Sequence, residues 1–150
     1  MIFGKSYVTK EFTFDAMHQL PNHDGLCKNH HGHTYKLQVT VTGLIDTNEG
    51  KASEGMIYDF GHLKKLVKEL VLNKMDHAFL AKGDEEILPE IKRLGTRVCV
   101  MGVRTTAENM SKYIFELLSP QLPKNVYLKN VRLYETPTSW ADYTLSDPTK

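Results

Sequence analysis

Residues His31 to Thr42 alternate without interruption. Tyr35, Leu37, Val39 and Val41 occupy one phase, and Thr34, Lys36, Gln38, Thr40 and Thr42 the other. Successive side chains of an extended chain point to opposite faces, so a period of two describes a half-buried β-strand. Carried backwards, the phase puts His31 and His33 on the apolar face, with Gly32 between them. A fold built on this strand must therefore accommodate two imidazoles on its buried side, and buried polar groups need partners.

A second segment, Tyr7 to His18, has the same character. Val8, Phe12, Phe14 and Ala16 alternate with Thr9, Glu11, Thr13 and Asp15, and His18 falls in the apolar phase. Pro21, Asn22, Asp24 and Gly25 break the chain between the two strands, which suits an antiparallel pair joined by a loop. Residues i and i+2 of a strand lie about 7 Å apart at Cα, close enough for two imidazoles to reach one ion. His18, facing the same way, is the natural third ligand. Three neutral imidazoles suit Zn²⁺, and a site with three protein ligands leaves room for water or substrate. The alternative for an isolated H-x-H is a pair of solvated loop histidines. Five of the seven histidines fall between His18 and His33; His23 and His30 read as surface residues.

Farther along, Asp59 is a plausible N-cap for a helix bearing Phe60, Leu63, Leu66, Val67, Leu70 and Val71 on one face and ending before Met75. A polar segment, Ala81 to Glu90, has room for a helical turn, and Arg97 to Val103 for a short strand. Thr105 and Glu108 form a T-x-x-E capping box before a second amphipathic helix with Met110, Tyr113, Ile114, Leu117 and Leu118. Val126 to Thr136 reads as a strand, and the tail with Trp140 and Tyr143 as a candidate further one. This order predicts one α+β domain over residues 1–150, an antiparallel sheet with helices on one side.

Composition narrows the function. Among 150 residues, 41% are hydrophobic and 25% charged, and the formal net charge is +1. No general basic footprint points to a nucleic-acid partner. No apolar run is long enough to span a membrane, and the stretch MIFGKSYVTKEF does not read as a secretory signal. Two cysteines make a poor disulfide framework, so reduced thiols in the cytoplasm are expected.

Three further features can carry chemistry. Cys27, four residues before His31, is open to several roles: a fourth ligand, a nucleophile, a proton-transfer base, or a plain loop residue. Nearby cationic charge would favour its thiolate. Asp76-His77 is either a structural helix end or a carboxylate-supported proton shuttle. Glu135 extends the apolar face of Val131 and Leu133. It needs either a salt bridge, with Arg132 or Lys129, or a planar ligand presenting N–H groups to its two oxygens. Glu108 is already accounted for by its cap, and Cys99 by a place in a strand.

Taken together, these residues resemble a known family. Phe12-Thr-Phe-Asp-Ala-Met-His18 looks like the first strand of the 6-pyruvoyl-tetrahydropterin synthase superfamily. Cys27-Lys-Asn-His-His31-Gly-His33 matches its C-x3-H-G-H motif. Met75-Asp76-His77, Thr105-Thr106-Ala-Glu108 and Leu133-Tyr-Glu135-Thr136 follow in the family order. Three residues between the cysteine and H-G-H is similar to the 6-carboxytetrahydropterin synthase branch; pyruvoyl-forming relatives usually have five. The departure is the segment from Gly83 to Arg104, longer than in compact members and without the usual proline before T-x-E.

The resemblance implies the T-fold, or tunnelling fold: a four-stranded antiparallel sheet with two helices between the second and third strands. It implies homo-oligomers, trimers pairing into hexamers, with active sites between subunits. It implies Zn²⁺ on His18, His31 and His33, with Cys27, Asp76 and His77 catalytic. Glu135, Thr105, Thr106 and Glu108 would bind substrate. The substrate would be 7,8-dihydroneopterin triphosphate and the product 6-carboxy-5,6,7,8-tetrahydropterin, a step toward queuosine and related deazaguanines. The sister activity, 6-pyruvoyl-tetrahydropterin synthase, and a non-catalytic zinc-stabilised binding protein are the rival expectations.

Overall fold

The two alternating segments form the central strands, β1 (Ser6–His18) and β2 (His31–Gly43), paired antiparallel with His18 opposite His31 and Ala16 opposite His33. The structure, a computed structural model, describes residues 5–146. In both strands the expected faces are the observed ones: Phe12, Phe14, Ala16 and His18 are buried, as are Tyr35, Leu37, Val39 and Val41, while their neighbours face outward. β5 (Val126–Thr136) pairs antiparallel with β2, and β6 (Ser139–Thr144) with β5.

Between β2 and β5 the chain builds the layer that covers the apolar face. Helix α1 (Phe60–Val67) is capped by Asp59, whose carboxylate accepts from the amides of Gly61 and His62 at 2.7 and 3.1 Å. The helix continues through a π-helical stretch, Lys68–Leu72, into α2 (Asn73–Met75), past the predicted end. Leu63, Val67, Val71 and Met75 recur every four residues, and all are buried. In a pure α-helix that spacing drifts about 40° per step. A wider π turn absorbs the drift and keeps one line of side chains on the sheet. Phe60, predicted on that line, is 53% exposed, because it opens the helix before the covered stripe begins.

Helix α4 (Ala107–Leu118) buries Met110, Ile114, Phe115 and Leu118. Its N-cap is Thr106, which accepts from Asn109 N–H at 3.2 Å, so the predicted Thr105–Glu108 box starts one residue early. Thr105 is occupied elsewhere.

The α+β architecture with helices packed on the sheet is the expected one, but β3 (Ala78–Ala81) and β4 (Val98–Val100) make the sheet six strands rather than four, in the order β4-β3-β1-β2-β5-β6. The two additions lie parallel beyond β1, with the short helix α3 (Leu88–Arg93) between them. Every residue of β3 is buried, so Ala-Phe-Leu-Ala shows no alternation to mark it as a strand. Phe79, Ala81 and Leu88 form a small second core beneath α3. Among the described residues no helix is long and apolar enough to cross a membrane.

The central pair carries the stability. Leu37, fully buried in β2, and Leu44, 86% exposed just beyond it, make a direct comparison. Leu37→Ala should cost about 2–5 kcal/mol and Leu44→Ala less than about 0.5 kcal/mol, as read by urea denaturation.

Candidate metal and active site

His18 ends β1, His31 and His33 open β2, and the strand phase turns all three imidazoles to the covered face. Their ring centroids lie 4.5, 4.9 and 5.2 Å apart. Glu135 joins them from β5. Strand alternation puts Glu135 on the inward face with Val131 and Leu133, and the β5–β6 register shifts beside it, from the Tyr134–Trp140 pair to the Thr136–Ser139 pair. The ligand atoms of His18, His31, His33 and Glu135 all lie within 4.8 Å of one another.

Main-chain carbonyls orient two of the rings. His18 Nδ1–H donates to the Thr105 carbonyl at 2.8 Å, with the Thr105 hydroxyl 3.1 Å away, and His31 Nδ1–H donates to the Asn29 carbonyl at 2.7 Å. A carbonyl only accepts, so each neutral ring carries its proton on Nδ1 and presents a bare lone pair on Nε2. Those two Nε2 atoms face each other at 2.9 Å with no proton to share. His33 Nε2 lies 2.9 Å from Glu135 Oε1, but out of hydrogen-bonding alignment, so this buried nitrogen has no hydrogen-bond partner among the described residues. His18 Nε2 is 3.6 Å from the same oxygen.

Burial favours the neutral form of two of the rings, His18 and His33. Burial pushes the His18 pKa from its ordinary 6.5 down to about 4, against the pull of the Thr105 hydrogen bond; His31 and His33 lower it further. Burial also lowers His33, opposed by the Glu135 charge. Beneath the cluster, Tyr35 is fully buried and stacked on Phe14 at 5.1 Å. Burial, reinforced by Glu135, raises its phenol, so it stays protonated.

Converging lone pairs, an orphaned imidazole nitrogen and a carboxylate oxygen against unprotonated nitrogens are mutually repulsive without a cation between them. A divalent ion that accepts imidazole nitrogen and carboxylate oxygen fits this donor set.

The remaining predicted residues fall elsewhere. Cys27 sits half-buried with a free thiol in a 3₁₀ turn, Leu26–Lys28, of the loop that joins the strand ends presenting His18 and His31. Leu20 N–H donates to its carbonyl at 2.9 Å and closes that loop. Asp76 and His77 form a second cluster with Asp15. Asp76 Oδ1 lies 2.9 Å from His77 Nδ1 and accepts from Asp15 N–H at 3.1 Å, while His77 N–H donates to the Asp15 carbonyl at 2.7 Å. His77 adopts φ +59°, a conformation rare outside glycine. Asp15 points to the sheet face opposite His18, beside an open cleft of about 460 Å³ that Gly32, Thr34 and His77 also line. Asp15, Asp76 and His77 thus group separately from His18, His31, His33 and Glu135, although His33 and His77 border the same cleft.

Thr105, predicted to touch substrate, is buried on the Nδ1 side of His18; Thr106 caps α4, and Glu108 is exposed in its first turn. Arg132, a predicted partner of Glu135, pairs with Asp142 on the outward face instead. His23 and His30 are exposed, as expected, and Cys99 is a buried strand residue. Sequence reasoning missed the carbonyls of Asn29 and Thr105, since a main-chain acceptor leaves no mark on residue identity.

Comparison with known proteins gives this constellation a family. The 6-pyruvoyl tetrahydropterin synthase model matches residues 7–146. The chain belongs to the 6-pyruvoyl tetrahydropterin synthase family. It is 39% identical to the 6-carboxy-5,6,7,8-tetrahydropterin synthase of Haemophilus influenzae, across 91% of this chain and 96% of that protein. It is 33% identical to the enzyme of the same name from Rickettsia bellii, across 89% and 96%. Among solved structures, 6-pyruvoyl tetrahydropterin synthase of Caenorhabditis elegans superposes with a TM-score of 0.68 at 27% identity, covering 95% of this chain and 97% of that one. A Wolinella succinogenes protein superposes with a TM-score of 0.79 at 20% identity, covering 96% and 100%, and shares the fold. The resemblance carried by the motifs is thus borne out.

The depressed His18 pKa has a consequence for the metal-free protein. Unfolding returns His18 to about 6.5, so the unfolded chain takes up a proton that the folded one refuses. The stability contributed by neutral His18 is full above pH 6.5 and is lost progressively as pH falls toward 4. Urea denaturation in the presence of a chelator should show a decline of about 3 kcal/mol across that window from this group, absent in His18→Gln.

Proposed function

We propose that the chain is a zinc-dependent 6-carboxytetrahydropterin synthase. It converts 7,8-dihydroneopterin triphosphate and one water to 6-carboxy-5,6,7,8-tetrahydropterin, acetaldehyde and triphosphate, in queuosine and related deazaguanine biosynthesis. The observation that supports this most is the convergence of His18, His31 and His33 on one point beside Glu135. The names of the Haemophilus and Rickettsia relatives and the C-x3-H-G-H spacing favour the carboxy product over the pyruvoyl one.

His18, His31 and His33 would hold the ion. When bound, zinc supplies Lewis-acid stabilisation of negative charge developing on the substrate's side-chain oxygens. The other roles fall to side chains. Cys27, on the loop over the strand ends, takes a proton from the substrate side chain as general base. Asp76 fixes the His77 Nδ1 proton, which leaves Nε2 free to accept the proton that Cys27 releases. Glu135 meets the N–H edge of the pterin with its second oxygen. Thr106 and Glu108, at the start of α4, complete the substrate surface, while Thr105 acts through His18.

The relay groups separately from the imidazoles, so a neighbouring copy could present it to this site, which suits a homo-oligomer, trimer or hexamer, with active sites between subunits. Both cysteines are free, which supports a cytoplasmic setting.

The test is incubation of the zinc-loaded protein with 7,8-dihydroneopterin triphosphate and mass spectrometry of the products, with Cys27→Ala alongside. Carboxytetrahydropterin and acetaldehyde are expected. In the variant, turnover should fall by about a hundredfold or more with zinc content unchanged. A pyruvoyl product would move the chain to the sister activity, and no turnover with zinc bound would leave a metal-bearing binding protein.

A further inference from the structure

The segment from Gly83 to Arg104, by which the chain departs from compact relatives, reaches the metal site through one residue. Arg104 immediately precedes Thr105, whose carbonyl holds His18. Its guanidinium is bidentate on Asp84, at 2.8 Å to Oδ1 and 2.7 Å to Oδ2, and lies 3.4 Å from Glu85 Oε1. The Glu85 side chain is only 2% exposed. It also accepts from the amides of Lys82 and Gly83, at 2.8 and 3.3 Å. Gly83 has φ +128°, which a side chain would strain, so this turn after β3 is built to aim both carboxylates at Arg104. The Arg104 carbonyl is held in turn by Asn109 Nδ2–H at 3.1 Å. The Arg104–Thr105 peptide, one link before the one that presents the Thr105 oxygen to His18, is thus held at its carbonyl by Asn109 and flanked by the anchored Arg104 side chain.

We propose that Arg104, clamped by Asp84 and Glu85, is a positioning residue of the metal centre: it sets the Thr105 carbonyl that fixes the ring plane and tautomer of His18. The inference rests on the reading of the three histidines as ligands. A backbone acceptor has no side chain of its own to anchor it, so its placement depends on its neighbours' contacts. Arg104 is the neighbour with a charged anchor, bidentate on half-exposed Asp84 and in contact with buried Glu85. Partners on the second nitrogen of a metal-bound imidazole change metal affinity by about 10- to 100-fold. Arg93, paired with Glu90 on the surface of α3, lies in the same segment without contact to this peptide and serves as the control.

The test is zinc affinity of the full chain, by competition with a chromophoric chelator, for wild type, Arg104→Gln, Arg104→Lys and Arg93→Gln. Folding is checked by near-ultraviolet circular dichroism. Arg104→Gln should weaken binding about tenfold and Arg104→Lys by less, with Arg93→Gln unchanged. Long-range ¹H–¹⁵N NMR of the metal-free protein should show His18 as the Nδ1–H tautomer in wild type and as a mixture in Arg104→Gln. If Arg104→Gln does not fold, Asp84→Asn, at a half-exposed position, should show a smaller loss of the same sign. Unchanged affinity and an unchanged tautomer in the folded variant, with zinc bound by wild type, would overturn this inference alone. A wild type that binds no zinc would overturn the ligand reading with it.

Discussion

The site depends on the hydrogen bond from His18 Nδ1 to the Thr105 carbonyl. Without it, a fully buried imidazole would be free to choose its tautomer and its ring plane. With it, the proton is committed to Nδ1, and the lone pair on Nε2 faces His31 Nε2, Glu135 and His33. The matching bond from His31 to Asn29 commits the second ring in the same way. Burial then keeps His18 from escaping the conflict by protonation. Each element of the fold contributes to this arrangement: the β1–β2 register brings His18 opposite His31, the alternation of β5 turns Glu135 inward with Val131 and Leu133, and the start of α4 delivers the carbonyl.

Much of this is legible in the sequence because strand alternation is a local property. The phase of Tyr35, Leu37, Val39 and Val41 places His31 and His33, and the phase of Phe12, Phe14 and Ala16 places His18; the structure keeps all three on that face. Asp59 caps its helix for the same local reason. What stays hidden depends on partners distant in the chain. Ala78–Ala81 is covered on both faces, so its strand has no signature. The shift of the α4 cap from Thr105 to Thr106 follows from His18, some 87 residues away, which claims Thr105 for itself. Glu135 reads correctly as a carboxylate on an apolar face, yet its neighbours are the imidazoles, since Arg132 faces outward to Asp142.

The sheet also divides labour between its faces. The covered face gathers three converging imidazoles, a donor set suited to an ion. The opposite face carries Asp15, Asp76 and His77, where a histidine with a 78% exposed side chain, held by a carboxylate, can exchange protons with what approaches it. The two clusters form separate groups within one chain.

X-ray absorption at the zinc edge, on protein loaded with one equivalent of zinc, tests the convergent-imidazole centre most directly. The expected result is one tightly held ion per chain, three imidazole nitrogens at about 2.0–2.1 Å, an oxygen completing the shell, and no sulfur. A sulfur neighbour near 2.3 Å would make Cys27 a ligand rather than a base. Failure to retain zinc, or a shell with fewer than three imidazoles, would contradict the centre itself.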